Sequence, residues 1–166
     1  MKKATFILLF MMGILSLINA ESSALMNKQF RDSIFQTAKS EPNDTLRLQI
    51  LREAFQQYIG QDAALEFLDS ALALSKQKEM HEEELGALFD YCRHYEYRGD
   101  LSNMEQYFRI LKESSYQYKD YSFYYTIWLA ILQIRCAQGD TEYATMQAKE
   151  MQKEAIRIKY KSGTFV

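Results

Sequence analysis

The chain has 166 residues with 20 basic and 22 acidic side chains, one Pro, six Gly and 14 % aromatic residues. That length gives one substantial core but not two independent ones. The mildly acidic balance, with no basic patch, argues against nucleic-acid binding.

Residues 1–20 stand apart. Lys2 and Lys3 precede the apolar run from Ala4 to Ile18, which Asn19 and Ala20 follow. Charge, apolar run and small residue, in that order, read as a secretory signal peptide cut after Ala20. The run is short for a membrane span, and no stop-transfer pattern follows it. An uncleaved signal anchor and a buried first helix are the alternative readings. No Cys follows the run, so lipid anchoring there is excluded. Removing residues 1–20 takes two lysines and no acid, leaving 18 basic against 22 acidic groups, a net −4.

A leading helix and linker are expected at 21–43, the helix near 24–39, ended by the Ser40–Asn43 stretch with Pro42. Beyond it the chain repeats. Gln138-Gly139-Asp140, Arg98-Gly99-Asp100 and Ile59-Gly60-Gln61-Asp62 are turn signals. With Ile59, Gly99 and Gly139 as reference points the interval is 40 residues both times. Apolar residues fall into that register: Leu48, Leu88 and Trp128, then Leu51, Tyr91 and Ile131 before the turn. After it come Ala64, Met104 and Ala144, then Leu68, Phe108 and Ala148, then Ala71, Leu111 and Met151. Steps of three before the turn, and of four and three after it, place them on one helix face. Few β-branched runs and little strict alternation argue against strands.

The fold class expected is therefore all-α, in hairpins at 44–78, 81–117 and 120–160. The turn glycines suit the left-handed residue that ends a helix. Asp62, Asp100 and Asp140 or Thr141 can cap the helix that follows. One hairpin cannot bury its own apolar face, whereas a stack of neighbours can. Residues 161–166 read as the start of a further, truncated helix, and a fourth marker at position 168 would fall beyond Val166. The chain is expected to be part of something longer.

The marker residues carry a family resemblance. Trp128-x2-Ile131-Leu132 with Ala144 and Ala148, and Leu48-x2-Leu51-x3-Phe55 with Ala64, Leu68 and Ala71, resemble the tetratricopeptide repeat. Tyr91-Cys92-x2-Tyr95 with Met104, Phe108 and Leu111 is similar but bulkier. The period of 40 exceeds the family's 34 and its closing Pro is absent, which helices longer by roughly 4–5 Å would accommodate. The resemblance covers 44–160 and implies a right-handed solenoid. Similar long-period arrays occur in the exported N-terminal sensor regions of bacterial histidine kinases and regulators. It thus implies a periplasmic binding and sensing module, with downstream signalling domains in a longer chain. A periplasmic scaffold without signalling is the alternative.

The resemblance also implies a protein or peptide partner on the concave surface, lined by the first helix of each hairpin. Helical spacing puts Gln49, Glu53 and Gln56 there from the first hairpin, Phe89, Arg93 and Glu96 from the second, and Thr126, Leu129 and Gln133 from the third. The Lys and Asn pattern that clamps a peptide's terminal carboxylate is missing from these positions.

Other residues read as structural. Tyr116, Tyr118, Tyr121, Phe123, Tyr124 and Tyr125 cluster where the second hairpin joins the third and suit packing between them. His81 before Glu82, Glu83 and Glu84 reads as a charged helix start, since no second His stands at i+4 to make a zinc site. His94 beside Tyr91 and Tyr95 reads as a core residue. Cys92 and Cys136 lie in helical patterns. Export would permit their disulfide, and burial as free thiols is the commoner fate. No phosphate loop, nucleophile elbow or Cys–His pair is present, so neither catalysis nor a metal or other cofactor is expected.

Overall fold

The computed structural model describes residues 28–160, which contain seven α-helices and no strand. Helix α1 covers residues 28–40. Then come α2 (Asp44–Gln57), α3 (Asp62–Gln77), α4 (His81–Tyr97), α5 (Leu101–Tyr118), α6 (Ser122–Ala137) and α7 (Thr141–Arg157). The signal-peptide reading of 1–20 and the further helix expected at 161–166 lie outside the described residues.

The chain divides into two compact units between Ile50 and Leu51, inside α2. In the first, α1 ends at residue 40, two before Pro42, and Asn43 accepts a hydrogen bond from Leu46 N at 3.1 Å to cap α2. Arg47 closes the corner by donating to the carbonyls of Ala38 (3.0 Å) and Glu41 (2.7 Å). Ala38 O also accepts from Glu41 N at 3.3 Å, so the guanidinium adds a second donor to a carbonyl at the frayed end of α1.

In the second unit consecutive helices pack in order, α3 on α4, α4 on α5, α5 on α6 and α6 on α7, and α4 also touches α6. The core follows the 40-residue register. Leu88 and Trp128, Tyr91 and Ile131, Ala64, Met104 and Ala144, and Ala71, Leu111 and Met151 are all buried. Phe108 is half-buried, and Ala148 is exposed. Ala148 sits at the edge of the stripe that Ala144 and Met151 define on α7, so its expected core place is not realised.

Each helix from α3 to α7 ends with a left-handed residue and a backbone bond spanning the last turn. These residues are Glu79, Lys119 and Lys159 after the second helices and Gly99 and Gly139 after the first ones. The spanning bonds run from Met80, Asp100, Asp120, Asp140 and Tyr160 N to Ser75, Tyr95, Ser115, Arg135 and Ala155 O, at 2.9–3.1 Å. This is the Schellman arrangement. Glu79, Lys119 and Lys159 stand 40 residues apart, so the period is present in the backbone as well as in the side chains.

The α2–α3 turn differs. It uses Gly60, one residue past the register, with φ +82, and an added Cβ would overlap the Tyr97 ring. Gln61 rather than Asp62 therefore takes the cap position. Asp62 instead accepts from Arg98. Asp100 caps α5 as expected, accepting from Asn103 N at 3.1 Å. Asp140 holds the same place before α7 without a side-chain cap bond.

Candidate functional site

Two surfaces of the second unit can be built from the residues upward. The first is the face carrying the residues expected to meet a partner. Phe89 on α4 is half-buried against Phe123 on α6, ring centroids 5.0 Å apart, so these two helices meet through an aromatic pair. One turn on, Arg93 is exposed and paired with Glu96. On α6, Thr126 is exposed and donates to Ser122 O at 2.9 Å, while Gln133 is exposed and Leu129 is 43 % exposed. Glu53 and Gln56 are exposed on the part of α2 in this unit. Gln49, also exposed, belongs to the first unit. The α4 and α6 sets are brought onto helices in contact.

The second is a cleft of about 230 Å³ among α5, α6 and α7, lined by Glu105, Phe108, Arg109, Lys112, Trp128, Ile131, Leu132, Tyr143 and Gln147. None of the nine partner-face residues lines it. Lys112 Nζ stands 5.3 Å from the Trp128 ring centroid, 5.4 Å from Tyr124 and 6.0 Å from Tyr116. An ammonium group within about 6 Å of ring faces is held by their quadrupoles. Across from it, Arg135 donates to Glu105 at 2.7 Å, and its guanidinium lies over Tyr143 at 5.4 Å. Glu105 raises the Arg135 pKa, chiefly through that hydrogen bond.

The wall behind Trp128 is polar but closed. Tyr124 donates to Glu154 at 2.7 Å, and Lys112 approaches the other oxygen of Glu154 at 3.5 Å. Burial, then the bond to Glu154, pushes the Tyr124 hydroxyl far above the ordinary tyrosine range. The expected aromatic cluster packs as read: Tyr124 and Tyr125 are buried, and Tyr116, Tyr118, Tyr121 and Phe123 are half-buried around them.

The remaining candidates have structural places. His94 is fully buried and accepts from Gly60 N at 3.3 Å through Nδ1, and burial, then Arg98, lowers its pKa. His81 starts α4 and stacks on Tyr118 at 4.0 Å, and Tyr118 donates to the buried Glu84 at 2.9 Å. Cys92 is buried, with its thiol pushed up by that burial, whereas Cys136 is exposed near the end of α6, contrary to the burial expected for it. Both are free thiols. Among the described residues no group of three or more His, Cys, Asp or Glu is placed to hold a metal ion. Nor, among them, is any helix long and apolar enough to cross a membrane.

The cleft itself was not legible in the sequence. The spacing of Phe108, Trp128 and Ile131 signals only a core, and the rim comes from different helices. No protein-family model, no curated protein and no solved structure matches the chain.

Proposed function

We propose that this chain is an exported, tetratricopeptide-like binding and sensing module, the N-terminal part of a signal-transduction protein. Its hairpins stack as a right-handed solenoid and meet a protein or peptide partner on the face carried by α4 and α6. The observation that carries the reading is the meeting of α4 and α6 through Phe89 and Phe123. Contact between the first helices of successive hairpins is what a solenoid requires. The left-handed residues 40 apart support the same repeat.

That face suits transient recognition. It mixes one exposed aliphatic side chain, Leu129, with Arg93, Glu96, Thr126 and Gln133, and polar rims around small apolar centres are common in such interfaces. Export rests on residues 1–20 and is checked by N-terminal sequencing of the protein from the periplasm of a Gram-negative host, with a start at Glu21 expected. Full-length material in the cytosol would contradict it.

Partner binding is tested in cells with a photo-crosslinking residue placed singly at Thr126, Leu129, Gln133 or, on the opposite helix of the second hairpin, Gln117. One discrete product from the α6 positions and none from Gln117 is the expected result. Equal products at all four, or none at any, would overturn the assignment of this face.

A further inference from the structure

The cleft among α5, α6 and α7 has a charge pattern that its packing role does not require. Its floor is apolar and aromatic, formed by Phe108, Trp128 and Ile131. Of its charged rim, Glu105 is occupied by Arg135 at 2.7 Å. Two cations remain on one face of α5: Arg109, which is exposed, and Lys112, three residues on. Lys112 has a distant carboxylate partner at 3.5 Å and is 40 % exposed. Its ammonium is poised over the floor by the rings of Trp128 and Tyr124.

We propose that this cleft binds a small aromatic carboxylate, its ring on Trp128 and Phe108 and its carboxylate between Lys112 and Arg109. The size fits that class. A cavity of about 150 Å³ holds benzene, so about 230 Å³ takes one ring and a carboxylate but not a drug-sized molecule. The charge fits as well, because a carboxylate would add a partner for Arg109 and for Lys112, whose contact with Glu154 is long at 3.5 Å, whereas a cation would meet both directly. The carboxylate can belong to a free acid or to the C-terminal aromatic residue of a peptide. This inference rests on the cleft alone and stands or falls independently of the solenoid reading.

Trp128 is the chain's single tryptophan, so its emission reports on the floor of the cleft directly. Phenylacetate should change that emission saturably, with phenylacetamide at least about tenfold weaker, since only the charged form pairs with the rim. Lys112→Gln should weaken phenylacetate at least about fivefold. Because Lys112 also touches Glu154, Arg109→Gln is the second variant, with a loss of about threefold or more expected. Lys153→Gln removes the same charge from α7 outside the cleft and should leave binding unchanged. Acetyl-glycyl-phenylalanine, with its amide as control, separates the sources: tighter binding than phenylacetate assigns a peptide end, weaker binding a free acid. No saturable change up to about 10 mM phenylacetate, equal affinity for the amide, or indifference to both cleft variants would overturn the proposal.

Discussion

Arg52 Nε donates to Asp90 Oδ2 at 2.7 Å, joining α2 to α4 across 38 residues of sequence, with the Asp90 side chain only 3 % exposed. The guanidinium also reaches Glu83 at 3.4 Å and lies against Gly86, where an added Cβ would come within 2.9 Å of Nη1. Burial raises the Asp90 pKa despite Arg52, so the native state holds a proton on Asp90 at a higher pH than the unfolded chain does. The contribution of Asp90 to stability thus falls as pH rises through that window.

Arg52→Met should therefore cost about 2–3 kcal/mol, because it leaves a buried carboxylate without its cation. The figure lies below the roughly 3–5 kcal/mol for breaking a fully buried pair, since the Arg52 side chain is 30 % exposed. The loss should be smaller at pH 4 than at pH 8, where Asp90 must be ionised. The double variant Arg52→Met/Asp90→Leu should recover most of it. Urea denaturation at both pH values checks the pair, and a double variant as unstable as the single one would contradict the account.

His94 gives the opposite slope. Its folded-state pKa is lowered by burial, so below about pH 6.5 the unfolded chain takes up a proton that the native state refuses. Stability from this group is complete above that pH and declines as the solution is acidified through it. The melting temperature should fall between pH 7.5 and pH 5, and His94→Gln should flatten that fall. An unchanged pH profile in the variant would assign the slope elsewhere.

The left-handed residues at the hairpin junctions offer a stabilising change. Lys119 is exposed and adopts φ 58, a conformation that costs an L-residue with a Cβ about 1 kcal/mol. Lys119→Gly should raise stability by about 0.5–1 kcal/mol, reduced somewhat by the greater freedom of glycine in the unfolded chain. Thermal melting decides it. A loss of stability would mean that the lysine side chain makes a contact worth more than the backbone strain.

The same junctions differ in how far the sequence announces them. Gly99 and Gly139 announce their turns, but Glu79, Lys119 and Lys159 carry no such signal, since neither Glu nor Lys is a residue type that favours the left-handed region. The core register was legible from apolar spacing, as the burial of Leu88, Trp128, Met104 and Leu111 illustrates. The Arg52–Asp90 pair was not, since nothing in the spacing of two charged residues on different helices announces their meeting. The residues of the proposed partner face are legible only as helix positions, most of them exposed, and Phe89 is partly covered by Phe123. The cleft was hidden because its cations and its floor are scattered through three helices.

The rotation of α6 about its axis links the core to the proposed partner face, and one pair of substitutions tests it. Trp128 is 6 % exposed and its ring lies among Phe108, Tyr124 and Tyr125, with centroids 5.3–6.2 Å apart. Trp128→Ala removes that ring from a wall the remaining rings cannot refill, and should cost about 3–5 kcal/mol. Gln133 is exposed and stands five residues on, about 140° round the helix at 3.6 residues per turn. Gln133→Ala should stay within about ±0.5 kcal/mol. Because Trp128 also floors the cleft, its variant is read by denaturation and not by ligand binding. A large loss in both variants would mean that the Gln133 side of α6 is buried against something in solution. In that case the face is already occupied within the molecule or by a second copy, and sedimentation of the wild-type chain would separate the two.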